Sequence, residues 1–194
     1  MKTSWNRSLA AGILIAMGCI VYLKVGGVAG AILFSAGLWF VVNFGAELFT
    51  GRVTHSDYTV LQKLLMLCMN ILGAGLIGFV SAYAIPDIHE PAINMMQALS
   101  DSGPLSVLWR SSLCGVCMYL ATTKVGDVSR LPFVLYGVAL FILSGYSHSI
   151  ALACYAAAAR SFDWWIIPLA ALGNALGSYG IKTLLMQFPD GHKP

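Results

Sequence analysis

Gly45-Ala-Glu-Leu-Phe-Thr50 is a polar break inside an apolar run long enough to cross a bilayer, and Gly145-Tyr-Ser-His-Ser-Ile150 is a second break at the matching place in the other half. Backbone freed by a break at membrane depth must be buried in protein or line a cavity, because lipid offers it no hydrogen-bond partner. Polar side chains are costly there as well. Two such breaks in equivalent positions therefore point to a transport path between two repeats.

The composition sets the same frame. The 194 residues are 58% hydrophobic and 10% charged, with a mean hydropathy of +0.78, outside the range of soluble domains. Apolar windows of spanning length cover 9–25, 28–49, 60–85, 105–122, 132–159 and 164–188, predicting six transmembrane helices with loops too short for a soluble domain. The first run, behind Lys2 and Arg7, reads as an uncleaved helix rather than a signal peptide. Six spans put both termini on one side. Lys2, Arg7, Arg52, Lys63, Lys124, Arg130, Lys182 and Lys193 fall on that side, with Lys24, Arg110 and Arg160 opposite. The positive-inside rule then places both termini in the cytoplasm of an inner-membrane protein.

The halves, about 1–88 and 100–194, meet at Pro86-Asp-Ile-His-Glu-Pro91 and Ser100-Asp-Ser-Gly-Pro104. Three spans per half oblige the second half to enter from the opposite side. The expected fold is thus an all-α, inverted 3+3 repeat within one transmembrane domain covering 1–194, its second and fifth helices interrupted. Glycines at 26, 27, 30, 73, 75, 78, 173 and 177 mark close helix packing, within a subunit or between subunits.

The net charge of +3 is dispersed, so nucleic acid is not an expected partner. All five cysteines fall in apolar segments. Cys114-Gly-Val-Cys117 is the one spacing that could carry thiol chemistry, and a packing role is favoured for it. No metalloprotease, phosphate-loop, dinucleotide or zinc signature occurs, and no cofactor or metal is implied.

His148, flanked by Ser147 and Ser149, is the only histidine far from a loop or terminus and is the leading functional candidate. Thr50, whose hydroxyl donates and accepts, is a fitting partner for an imidazole, or else a helix cap. Glu47 is expected to form a structural ion pair with Arg52, the alternative being a place at the mouth of the path. Asn70 and Asn174 read as helix-to-helix hydrogen bonds before ligands, although Asn174 and Ser147 are also candidates for a polar pore lining. Phe34, Leu38, Phe49 and Phe141 recur at helical spacing near the breaks, where packing is the default.

Phe34-Ser-Ala-Gly-Leu-Trp-Phe-Val-Val-Asn-Phe-Gly-Ala-Glu-Leu-Phe-Thr-Gly51 together with Ser144-Gly-Tyr-Ser-His-Ser-Ile-Ala151 resembles the formate/nitrite transporter family. Ile167-Pro-Leu-Ala-Ala-Leu-Gly-Asn-Ala-Leu-Gly177 looks like that family's sixth helix. The resemblance implies an aquaporin-like six-helix subunit in a homopentamer, each subunit with its own pore. It also implies that Leu48, Phe49 and Thr50 form the loop interrupting helix two, that His148 is the central pore histidine, and that Phe34, Leu38 and Phe141 are apolar constrictions. This chain is shorter than typical members and departs from the family pattern at Ser147 and Leu152, where glutamate and asparagine are usual. It also has no basic residue between Lys63 and Arg110, where the family carries a lysine. Arg110 or Arg52 is the candidate replacement for that charge.

The expected function is a membrane channel or transporter for small monovalent anions of weak acids such as formate, nitrite or hydrosulfide, passing as the neutral acid after protonation near His148. The alternatives are a membrane thiol oxidoreductase using Cys114 and Cys117, or a non-transporting scaffold of the same fold. A water channel of the usual kind is disfavoured because neither break contains Asn-Pro-Ala.

Overall fold

The computed structural model describes residues 4–124, 128–161 and 163–186, and among these every regular element is helical. The order is α1 (Trp5–Val25), α2 (Gly27–Asn43), α3 (Phe49–Arg52), α4 (Val60–Ala84), a 3-10 turn (Pro86–Ile88), α5 (His89–Asp101), α6 (Gly103–Thr122), α7 (Leu131–Leu143), α8 (Ser149–Ala159) and α9 (Ile166–Met186). Helices α1, α4 and α6 are each long and apolar enough to cross a membrane. The expected spans 28–49 and 132–159 are each divided, into α2 with α3 and α7 with α8.

The two divisions are built alike. Gly45 and Gly145 sit at φ 65° and 69°, the left-handed conformation that costs a residue with a Cβ about 1–2 kcal/mol. The next residue closes the helix behind it, Ala46 N–H donating to the Val41 carbonyl at 3.0 Å and Tyr146 N–H to that of Phe141 at 2.8 Å. The chain then crosses toward the first helix of its own half. There Glu47 N–H reaches the Arg7 carbonyl at 3.2 Å, and Ser147 N–H the Arg110 carbonyl at 3.4 Å.

One asparagine holds each break open. Asn70 of α4 accepts from Phe49 N–H at 2.8 Å and donates to the carbonyls of Ser8 and Glu47 at 2.7 and 2.9 Å. Asn174 of α9 accepts from Ser149 N–H at 2.9 Å and donates to the carbonyls of Ser111 and Ser147 at 2.8 and 2.9 Å. Both are fully buried, so backbone groups that lipid could not satisfy are satisfied from within. Each amide thus ties backbone of its break to the first helix of its half.

Glycine contacts recur in the same way. A Cβ on Gly12 would strike the Asn70 carbonyl and one on Gly115 the Asn174 carbonyl, while one on Gly73 would meet the Leu9 carbonyl at 2.5 Å and one on Gly177 would strike that of Ser112. Helix α1 thus packs backbone to backbone on α4, and α6 on α9. By contrast Gly75 meets nothing nearer than 3.9 Å, so it is not needed for this approach.

Two expectations need correction. The segment 89–101, read as connector, is helix α5, whose Ala92, Met96 and Leu99 bury one stripe at spacings of four and three. Glu47 does not pair with Arg52: its Oε2 accepts from Ser4 N–H at 3.0 Å and Ser8 Oγ at 3.4 Å, stabilising the first turn of α1. Arg52 instead donates to the Tyr58 hydroxyl at 2.8 Å. The helix N-terminus was the nearer source of positive potential, and sequence distance hid it.

Candidate functional site

The two breaks meet. Thr50 Oγ1 lies 2.8 Å from His148 Nε2, with both residues buried, so Thr50 is a partner of the imidazole and not a cap; Leu48 holds the cap position of α3. His148 itself caps α8, its Nδ1 accepting from Ala151 N–H at 3.2 Å. That bond fixes the tautomer: a backbone N–H can only donate, so Nδ1 is bare and the ring proton sits on Nε2, which donates to Thr50 Oγ1. The Thr50 hydroxyl hydrogen is then free to donate onward.

An aromatic column continues from the histidine. The His148 ring lies 5.7 Å from that of Phe141 at an interplanar angle of 26°, and Phe141 meets Phe34 edge to face at 5.8 Å. Phe34, Leu38, Leu48 and Phe141 are all 3% exposed or less and belong to one apolar core. Phe49 differs. Its N–H is held by Asn70, and its side chain packs in a separate small cluster with Val53, Tyr58, Met66 and Ala171.

A cavity flanks each side of this centre, and the two share no lining residue. The first, about 500 Å³, reaches from Leu48 and Val41 out to Arg52, His55, Asp57, Lys124, Arg130 and Lys182. The second, about 190 Å³, is lined by His148, Phe141, Ser147 and Leu152, three tyrosines at 22, 146 and 155, and Arg110 as its sole charged residue. Arg110 is half-buried and, among the described residues, makes no ion pair or side-chain hydrogen bond, so its charge faces the cavity uncompensated.

The sequence-derived candidates therefore separate by place. Thr50 and His148 meet; Leu48 and Arg52 line the first cavity; Ser147, Phe141 and Arg110 line the second; Phe34 and Leu38 lie in the core, lining neither. Asn174 spends its amide on backbone and lines neither cavity. Cys114 and Cys117 are buried in α6 and likewise line neither. Sequence reading did not pick out the tyrosines or the gathering of Lys124, Arg130, Lys182 and His55. Their common side was readable from the charge distribution, but the cavity draws on residues 41–57, 119–124, Arg130 and Lys182, and no local spacing encodes it. Lys2 and Lys193, assigned to that side, lie outside the described residues.

Two broken helices meeting at a buried polar pair, with a cation-bearing cavity on either side of an apolar core, define a membrane channel or transporter. Residues 1–188 match the family described as formate/nitrite transporter, and the chain belongs to that family. A curated relative, the "Uncharacterized transporter YwcJ" of Bacillus subtilis (strain 168), is 27% identical over 178 residues, covering 76% of this chain and 70% of its own. Among solved structures, a "Pentameric formate channel with formate bound" superposes with a TM-score of 0.79 at 19% identity over 94% of both chains. An "FNT family ion channel" gives 0.76 at 20% identity, over 96% of this chain and 90% of its own. These likenesses show the fold.

Proposed function

We propose that the protein passes small monovalent anions of weak acids, formate, nitrite or hydrosulfide among them, through the centre of the subunit between the two cavities. The observation that carries this reading is the Thr50–His148 hydrogen bond, which puts the one polar pair of the two breaks between an Arg52-lined and an Arg110-lined cavity. The matching asparagine clamps and glycine contacts support an inverted 3+3 repeat of aquaporin-like form, with α2–α3 and α7–α8 as its interrupted second and fifth helices. The pentameric relative supports a homopentamer, and the cation-rich mouth of the larger cavity supports a cytoplasmic location for that end and for the termini of an inner-membrane protein.

Energetics favour crossing in the neutral form. An anion moved unpaired into a dry core costs on the order of 20 kcal/mol in the idealised limit and several after relaxation. Protonating an acid of pKa about 4 at neutral pH costs only about 4 kcal/mol, at about 1.36 per unit. Arg110, or Arg52 at the other end, draws the anion in, in place of the family's lysine. The proton comes from vestibule water. His148 cannot be the acid without placing a proton on Nδ1 and losing the Ala151 bond, so it acts through Nε2 and the Thr50 hydroxyl, donating to the substrate as it sheds water. Phe34, Leu38, Leu48 and Phe141 then admit only the uncharged species.

Proteoliposome flux of the three weak acids, with water permeation alongside, tests this. Formate, nitrite and hydrosulfide flux all unchanged in His148→Ala removes the histidine from the mechanism, and no weak-acid flux in the parent leaves a scaffold. Neutralising Arg110 and Arg52 together without loss of anion uptake removes the attracting role. A thiol oxidoreductase would instead lose its activity in Cys117→Ser.

A further inference from the structure

The larger cavity carries more charge than a monovalent substrate calls for. Four permanent cations, Arg52, Lys124, Arg130 and Lys182, line it against the single carboxylate of Asp57. Two of them are steered inward by neutral groups that leave the charge whole: Lys182 Nζ donates to the Thr54 carbonyl at 2.7 Å, and Arg52 to the Tyr58 hydroxyl at 2.8 Å. His55 at the rim registers the resulting potential, its imidazole held below its ordinary pKa by burial and then by Arg52 and Lys182.

The space is equally generous. About 500 Å³ is on the order of fifteen water volumes at about 30 Å³ each, several times what a formate-sized ion fills. Clustered arginine and lysine in a concave, partly desolvated site is the chemistry that recognises phosphate oxygens. The lining also runs inward to Val41 and Leu48, which are 4% and 2% exposed, so an occupant sits in line with the central pair and away from the lipid-facing surface.

We infer that the cavity bounded by Arg52, Lys124, Arg130 and Lys182 binds a soluble multivalent phosphate-bearing anion, of the pyrophosphate or polyphosphate type. The bound anion occludes the path from that end. This inference does not depend on which monovalent anion crosses, and its binding test does not depend on whether any does.

Calorimetric titration of pyrophosphate into the protein in zwitterionic-lipid nanodiscs, at roughly 0.1 M salt, reads the site directly. Saturable binding is expected, about fivefold weaker in each of Lys124→Gln and Arg130→Gln and tighter in Asp57→Asn. Absence of saturable heat above an ionic-strength-matched chloride control overturns the proposal. So does an affinity unchanged in the Lys124→Gln/Arg130→Gln double variant. In nanodiscs containing phosphatidylglycerol the affinity should hold; its loss there would assign the site to a lipid headgroup and overturn the soluble ligand. Formate flux undiminished by saturating pyrophosphate on the Arg52 side would overturn the occlusion.

Discussion

Replacing Asn174 with leucine keeps the number and branching of side-chain heavy atoms and removes all three hydrogen bonds that tie down the second break. The Ser111 carbonyl lies within α6 and keeps its helical partner, so the new orphans are the Ser149 N–H and the Ser147 carbonyl. A buried unsatisfied group costs about 1–3 kcal/mol, and bonds between membrane helices average about 0.6, so a loss of about 3 kcal/mol is expected. At about 2–4 °C per kcal/mol for a chain of this size, the thermal midpoint in nanodiscs should fall by about 6–12 °C. Asn70→Leu orphans the matching Phe49 N–H and Glu47 carbonyl and should cost about the same. Asn43, exposed, bonds only the Trp39 carbonyl among the described residues, so Asn43→Leu should stay within about 0.5 kcal/mol. An Asn174→Leu midpoint within about 2 °C of the parent, or equal to that of Asn43→Leu, would refute the clamp, since the orphaned groups would then have found other partners.

Other outcomes follow from the same contacts. Gly177→Ala drives a methyl into the Ser112 carbonyl and should cost about 1–3 kcal/mol in thermal unfolding, whereas Gly75→Ala, facing ordinary van der Waals distances, should be nearly neutral. Thr50→Val preserves shape but leaves His148 Nε2–H without its acceptor; a penalty of about 1.4 kcal/mol on the central step would lower weak-acid flux about tenfold, and unaltered flux would exclude Thr50 from it. His55 has a depressed folded-state pKa, so its share of stability is present above 6.5 and declines as pH falls through the unfolded value toward the folded one. An NMR titration of Arg52→Gln should move the His55 pKa upward toward 6.5, because the arginine is its largest electrostatic depressant; no movement would contradict the charge-gathering described for that mouth.

The two breaks were legible because their signals are local. A glycine that must adopt positive φ, followed by polar residues in an apolar run, announces a helix that cannot continue, and Gly45 and Gly145 do this in the same way. Asn70 and Asn174 were legible as hydrogen-bonding residues, since an amide at membrane depth has few other uses, though which backbone groups they serve required the fold. Helix α5 was hidden because 89–101 is polar enough to read as a loop and its buried stripe is only three residues deep. The Glu47–Arg52 pairing failed because complementarity over five residues of sequence took no account of the α1 N-terminus arriving from forty residues away. Cavity membership was the least legible property, because it is set by helix packing and not by spacing.

Where the halves agree, the residues build the breaks; among the residues that differ, Leu48, Arg52, Ser147, His148 and Leu152 line the two cavities. The asparagines, the glycine contacts and the left-handed glycines are the same at matching positions. The differences include Glu47 against Ser147, Leu48 against His148, Thr50 against Ile150 and Arg52 against Leu152, each a residue of a break or of the helix that follows it. Exchange of the halves would carry the pair Thr50 and His148 onto Ile150 and Leu48, so the polar contact has an apolar counterpart. The consequence reaches one step outward. Ser8 Oγ has Glu47 as a partner, but its counterpart Ser111 Oγ is buried and unpartnered, because Ser147 is too short to do what Glu47 does. Substituting serine for that carboxylate also leaves Arg110 unopposed in the second cavity, where a glutamate would have offset it. A duplicated break with identical sequence would present either two imidazoles or none, whereas a hydroxyl accepting from one imidazole needs the halves to be unlike at those two positions.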